Sequence, residues 1–193
     1  MKILGITGGV GSGKSAVLSL FREKYGAVTR QLDEVARELQ KKGTPCFAKI
    51  VSAFGREVLQ EDGELNRIWL AEVAFEQPSK RELLNEIVHP EVRKWIVDDI
   101  EKQRQQQVSL YVIEAALLIE ANYSEICDEL WYIYADETIR RKRLKESRNY
   151  TDEKITQMMM AQVPEEIFLR NCTVMIDNSG DFVDTERQIE ARI

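Results

Sequence analysis

The sequence predicts an α/β fold, on three observations. Short apolar or β-branched runs recur along the chain, at Lys2–Thr7, Ala27–Leu32, Leu110–Ile113, Asp128–Ala135 and Cys172–Ile176. They have the length and composition of buried strands. Stretches with helical spacing separate them. The first run leads directly into Gly8-Gly9-Val10-Gly11-Ser12-Gly13-Lys14-Ser15, and a helix-forming stretch, Ala16–Phe21, follows. Strand, glycine loop and helix N-terminus in that order make an anion site.

The loop fits G-x-x-x-x-G-K-[ST] at every fixed position, the pattern of a phosphate-binding P-loop. Its backbone N–H groups face a bound anion, and the positive end of the helix dipole favours phosphates. Glycine is required where the backbone must approach a phosphate closely. The expected ligand is a nucleoside triphosphate, held by Gly9, Val10, Gly11, Ser12, Gly13, Lys14, Ser15 and Ala16. Lys14 is expected to reach the β- and γ-phosphates, and the Ser15 hydroxyl to ligate Mg²⁺.

The chain's 193 residues suffice for one well-buried core with a small satellite. Hydrophobic residues at 44% and charged residues at 31% exclude a disordered chain. A net charge of −6 argues against broad nucleic-acid binding, which needs a basic footprint. Cys46, Cys127 and Cys172 lie far apart and form no C-x-x-C pair, so they read as unreactive thiols of a reducing compartment. The chain starts directly in a strand, with no leader expected, and no apolar run has membrane-spanning length. A cytoplasmic location is expected, with no membrane partner.

Gly26 is placed to end the first helix, and Ala27–Leu32 to form the second strand. Asp33 follows at that strand's carboxyl end, where open α/β sheets bind ligands. It reads either as the N-cap of the helix carrying Val35, Ala36 and Leu39, or as a carboxylate that takes the proton of an attacking hydroxyl. Residues 41–107 have a different texture. Thr44 caps a helix with Pro45 at its first position, and Phe47, Ile50, Val51 and Phe54 mark its periodicity. Asp62-Gly63 is a turn, Ile68–Phe75 a further helix, and Ser79 a cap for the next. His89-Pro90 is expected to interrupt that helix. A long one follows from Glu91 to about Gln107, with Val92, Trp95, Ile96 and Ile100 inward. His89 reads as a boundary residue and Arg93 as part of a solvated face, unless an anionic ligand comes to it.

Glu114 ends the third strand, where a carboxylate can orient hydrated Mg²⁺. The helix after the fourth strand carries Arg140, Arg141, Lys142, Arg143, Lys145 and Arg148 in an acidic chain. Its side chains either pair along a solvated face or neutralise charge on a transferring phosphoryl group. A helix from Thr151 to Gln162 contains Met158, Met159 and Met160, which cannot all share one face. Pro164 opens a short helix, Asp177-Asn178-Ser179-Gly180 is a turn, and a helix with Val183, Ile189 and Ile193 closes the chain. A guanine-reading [NT]-K-x-D motif is missing, which disfavours a GTP-dependent switch.

In order along the chain, Gly5–Ser15, Leu32-Asp33-Glu34-Val35-Ala36-Arg37 and Asp62–Arg67 with Leu70 and Phe75 resemble the dephospho-CoA kinase family. His89-Pro90 with Arg93, Leu117–Glu120, Ala161-Gln162 and Ile176–Gly180 continue the resemblance to nearly the whole chain. It implies a P-loop fold of five parallel strands flanked by helices, a helical substrate-binding insertion at about 41–107 and a lid at about 137–171. The core would then be about 1–40, 108–136 and 172–193. It implies transfer of the ATP γ-phosphoryl group, with Mg²⁺, to the ribose 3′-hydroxyl of dephospho-CoA, the last step of CoA synthesis. Asp33 is then the general base, Lys14 and a lid arginine are catalytic, and Asp33, Arg37, His89 and Arg93 contact the acceptor. Register across the lid leaves Arg140, Arg143 or Arg148 for that arginine, and Arg143 is preferred. The expected partner is the small-molecule substrate, the chain being a monomer or weak homo-oligomer. Gln31, Ala16 and Ala116 depart from the family pattern, which has aspartate, threonine and proline at those places. The runner-up is another small-molecule P-loop kinase, of the nucleoside monophosphate type.

Overall fold

The computed structural model describes residues 1–193. Its backbone forms two compact units, residues 1–30 with 104–193, and residues 31–103. The first unit is built on five strands: β1 (Lys2–Thr7), β2 (Val28–Gln31), β3 (Leu110–Glu114), β4 (Glu129–Tyr134) and β5 (Val174–Asp177). Their order is β2-β3-β1-β4-β5. The sheet is parallel, with Ile6 opposite Glu114 on one side of β1 and Trp131 on the other. β1 is therefore the middle strand. The chain leaves it for β2 on one side and later returns to β4 and β5 on the other, so a crevice opens outside the strands' carboxyl ends.

β1, β3 and β4 are buried nearly throughout, because helices cover the sheet; this is why they read as continuous apolar runs and not alternating ones. Helix α1 (Lys14–Tyr25) buries Val17, Leu18, Leu20 and Phe21, and ends on Gly26 in the left-handed region, as its position suggested. Its inner face packs with Leu4, Ile6, Val112, Trp131, Ile133, Ile176 and Ile189 into one apolar cluster. Phe21 meets Trp131 edge-on at 5.9 Å. The closing helix, α9 (Phe182–Glu190), comes after the short α8 (Glu165–Asn171) and buries Thr185 and Ile189. Val183 and Ile193, expected inward, are about half exposed. The helix stops before Ile193, and the inward face runs through 182, 185 and 189 instead.

Four readings of residues 31–103 need correction. Helix α2 (Leu32–Leu39) is capped by Gln31, so Asp33 is not its N-cap but lies inside the first turn, exposed. His89-Pro90 does not interrupt a helix. α5 runs without a break from Pro78 to Gln105, with Pro90 inside it and Ser79 in its first turn instead of at its cap. Proline removes one ladder hydrogen bond and costs about 3 kcal/mol in a helix interior. His89 and Pro90 are exposed, so water can reach the bereft carbonyl, and Val88, Val92, Ile96 and Ile100 stay buried on the other side. Trp95 is only half-buried. Between these lie α3 (Pro45–Phe54), with Thr44 capping the Phe47 N–H at 3.1 Å, and α4 (Arg67–Glu76), capped by Asn66.

All three cysteines are free, and burial pushes the Cys127 thiol up to about 12 and Cys172 to about 11. Phe21 tests the core. Phe21→Ala is expected to lower unfolding free energy by about 3–5 kcal/mol, the scale of a large-to-small core change, measured as a lower urea midpoint at unchanged m-value.

Candidate active site

β1 ends at Thr7 and the chain turns at once through the glycine loop. Gly8, Gly11 and Gly13 have φ of 151°, 79° and 91°. A β-carbon on Gly8 would lie 2.4 Å from the Ile133 carbonyl oxygen, so the loop is seated against β4. The loop is closed by Ser12 N–H donating to the Gly9 carbonyl at 3.1 Å. Gly13 is the N-cap of α1, and no side chain caps that end. An anion can take the role a capping side chain would otherwise fill.

Lys14 Nζ donates to the Gly8 carbonyl at 2.9 Å and to Gly9 at 3.4 Å. It also lies 3.8 Å from a Glu114 oxygen, and both side chains are largely buried. Register explains that meeting. Glu114 stands opposite Ile6 on the neighbouring strand, one residue short of the end of β1.

The basic helix α6 (Glu137–Arg148) packs on the loop. A β-carbon on Gly11 would meet the Arg140 carbonyl oxygen at 2.9 Å, and one on Gly9 the Arg140 Nη1 at 1.9 Å. Arg140 therefore lies across Gly9. Arg143 turns to the loop's outer side, donating to the Asn178 carbonyl at 2.8 Å and the Ser12 carbonyl at 3.5 Å. The other cations pair off. Arg141 reaches Glu137 at 2.7 Å, Lys145 reaches Asp152 at 2.7 Å, and Lys142 lies 4.0 Å from Glu146. One face of the helix thus carries paired, solvated charges, and the other sets Arg140 and Arg143 against the loop. Arg148 is exposed at the helix end.

Three residues without an assigned role complete the surroundings. Gln162, after α7 (Asp152–Met160), accepts from the Val10 N–H at 3.0 Å through its side-chain oxygen. Asn178, just past β5, donates from Nδ2 to the Ser12 carbonyl at 2.7 Å. Thr185 on α9 donates to Asn178 Oδ1 at 2.8 Å. Sequence patterning could not find them, since each acts more than 150 residues from the loop it serves; the turn residues around Asn178 and the Ala161-Gln162 pair were the only signals. Two of the three buried side-chain polar atoms without a partner, Ser12 Oγ and Arg140 Nε, belong to this loop and the arginine over it. Such orphans are expensive in a finished interior, so their clustering here marks a place that a polar ligand completes.

Beside the loop, a cleft of about 620 Å³ runs from Tyr132 and Tyr134 past Arg140 to Met159, Gln162 and Phe168. In the 31–103 unit, Asp33 and Arg37 are one turn apart on α2, both exposed. His89 and Arg93 are similarly spaced on α5, His89 exposed and Arg93 half-buried. The Arg37 carbonyl and Gln40 side chain accept from the Arg67 guanidinium at 3.0 and 3.2 Å, which ties α4 to α2.

A glycine loop on the middle strand of a parallel sheet, with a lysine inside it and an arginine laid across it, defines a P-loop nucleotide-binding protein. The comparisons with known proteins narrow the class. A family model described as dephospho-CoA kinase matches residues 2–184, and the chain belongs to that family. The Enterococcus faecalis dephospho-CoA kinase is 39% identical over 98% of this chain and 94% of its own. That of Bacillus anthracis is 36% identical over the same shares. Among solved structures, TT1252 from Thermus thermophilus superposes with a TM-score of 0.82 at 28% identity, covering 98% of this chain and 95% of that one. A shikimate kinase from Acinetobacter baumannii shares the fold at TM-score 0.56 and 11% identity, over 99% and 90%. No helix is long and apolar enough to cross a membrane.

Gly9→Ala isolates the arginine, since Gly9 has no positive φ and the clash falls on a flexible tip. The thermal midpoint is expected to move by no more than about 2 °C. Steady-state turnover should fall by about 10²-fold, the scale of one lost phosphoryl-stabilising donor.

Proposed function

We propose that this chain transfers the γ-phosphoryl group of ATP to the ribose 3′-hydroxyl of dephospho-CoA, giving CoA and ADP. The family match over nearly the full chain carries the reading, and the loop geometry agrees with it. In the transfer, the 3′-oxygen forms a bond to the γ-phosphorus as the bond to the β,γ-bridging oxygen breaks, and ADP leaves with that oxygen. Asp33 accepts the hydroxyl proton. An alcohol's pKa lies far above neutrality, so its proton must go to a nearby base as the new bond forms. Asp33 is suited by its exposure in a helix's first turn, directly after a strand's carboxyl end. Arg37, His89 and Arg93 contact the acceptor.

Lys14 releases the Gly8 and Gly9 carbonyls and takes the β- and γ-phosphate oxygens. Arg140, already across Gly9, neutralises charge that builds on the transferring group; Arg143, preferred from the sequence, spends its donors on backbone carbonyls and supports the loop. The residues present fit Mg²⁺. Ser15 in the first turn of α1 and the largely buried Glu114 carboxylate are hard oxygen donors, and no cluster of three or more acidic, histidine or cysteine side chains builds a dedicated metal cage. Mg²⁺ is commonly held by one or two protein oxygens together with phosphates and waters. When bound, it would neutralise phosphate charge. The enzyme would act in the cytoplasm, without nucleic-acid or membrane partners, as a monomer or weak homo-oligomer.

A coupled ADP-release assay with dephospho-CoA beside AMP, UMP and CMP tests the reading. Turnover is expected with dephospho-CoA alone; nucleotide turnover with dephospho-CoA inert would sink it. Asp33→Asn should lower kcat by about 10²–10⁴-fold at nearly unchanged ATP affinity, as loss of a general base does. Lys14→Ala is expected to weaken both ATP binding, read by titration calorimetry, and transfer.

A further inference from the structure

A phosphate loop works only if its peptide planes face the right way. Each plane carries a carbonyl at one edge and the next residue's N–H at the other, on opposite sides. Turning the Gly13 N–H toward a bound phosphate therefore requires the Ser12 carbonyl to point away. A carbonyl pointing into the protein must in turn find a donor there. The donors come from the far end of the chain. Asn178 Nδ2 lies 2.7 Å from the Ser12 oxygen, and Arg143 Nη1 3.5 Å from it.

Asn178 is itself fixed from several directions. Its N–H donates to the Tyr134 carbonyl at 2.8 Å, continuing the β4–β5 pairing. Its carbonyl accepts from Arg143 at 2.8 Å, and its side-chain oxygen from Thr185 at 2.8 Å. Asn178 is 2% exposed and Thr185 fully buried. An amide side chain can present either its oxygen or its nitrogen to a given neighbour. The Ser12 carbonyl settles the choice, because it can only accept and so takes Nδ2, and the Thr185 hydroxyl, which also lies 3.4 Å from the Asp177 carbonyl, donates to the Oδ1 that remains. The amide also fills the space where a side chain on Gly13 would sit: a β-carbon there would be 2.2 Å from Asn178 Nδ2.

We infer that Asn178, held by Thr185, is a positioning residue for phosphate binding: it holds the Ser12–Gly13 peptide in the orientation that turns the Gly13 N–H to the triphosphate. It touches neither substrate, and acts through the loop backbone. The inference rests on the loop being the ATP site, and its effect belongs to ATP and not to the acceptor.

The test compares Thr185→Val, Thr185→Ser and Asn178→Ala by titration calorimetry with ATP and separately with dephospho-CoA, each variant well below its own melting temperature. Thr185→Val keeps the shape and removes the donor, so the Asn178 Oδ1 is left without that hydrogen bond and the amide is held less firmly. The ATP dissociation constant is expected to rise about tenfold, the effect of one buried hydrogen bond's misplacement. Dephospho-CoA affinity should change less than twofold. Thr185→Ser, which restores the hydroxyl, should return ATP affinity to within about threefold of the parent, and Asn178→Ala, if it folds, should match or exceed the Thr185→Val loss. Parental ATP affinity in Thr185→Val, equal losses for both ligands, or no recovery in Thr185→Ser would each overturn the inference. A parent chain that does not bind ATP would instead overturn the ATP site itself, a separate failure.

Discussion

Everything at this site depends on how the backbone of one short loop is turned. A loop that offers N–H groups to phosphates must bury the opposite edges of the same peptides, and each buried carbonyl needs a donor. Here the Gly9 carbonyl takes the Ser12 N–H, the Gly13 carbonyl takes Ala16 and Val17 at the start of α1, and the Ser12 carbonyl takes Asn178. The Gly8 carbonyl takes the Lys14 ammonium. Each of these loop carbonyls is thus met by a donor, from the loop and its helix or, at Ser12, from beyond β5.

That arrangement needs distant segments held to within a few tenths of an ångström, which the apolar core supplies. Leu4, Ile6, Val17, Phe21, Trp131, Ile133, Ile176 and Ile189 form one cluster tying β1, α1, β4, β5 and α9 together. Asn178 follows β5 by one residue and Thr185 lies one turn before Ile189, so both inherit their placement from buried neighbours. α6 is set down on the loop by the close approach of Gly11 to Arg140 and Leu144, where any larger residue would push the helix away.

What the sequence shows is what can be written locally. β1, the loop and α1 are contiguous, and apolar runs bounded by turns mark the other strands, so the fold was legible almost throughout. The exceptions have physical causes. His89-Pro90 reads as a break because proline opposes a helix locally, yet the buried stripe from Val88 to Ile100 continues through it while the lost hydrogen bond faces solvent. Asp33 looks like a cap because capping favours aspartate, but the N-cap position falls two residues earlier, on Gln31. Val183 and Ile193 look inward because they are apolar, although the helix phase gives the inside to Thr185 and Ile189. The three residues that shape the loop from outside leave no local pattern that gives their role. Gln162, Asn178 and Thr185 are polar residues near turns or helix faces, and only the strand order brings them to the glycines.

The placement of polar groups under the loop also follows from what apolar packing cannot do. Hydrophobic burial is roughly proportional to area and has no direction, so it can press α6 and α9 against the sheet but cannot tell a peptide plane from its flipped form. A hydrogen bond distinguishes the two, because the flip replaces an acceptor with a donor facing the same partner. Asn178 opposite the Ser12 carbonyl makes the flipped plane set N–H against N–H, and the unpaired groups then carry the full desolvation penalty. The Ser12 carbonyl opposes the amide's own flip by the same rule, and Thr185 supplies a donor to the amide oxygen turned away from the loop. A threonine on α9, buried without touching any ligand, therefore helps to hold a direction that one amide and one peptide set between them, where an apolar residue of equal size would leave the amide oxygen without that donor.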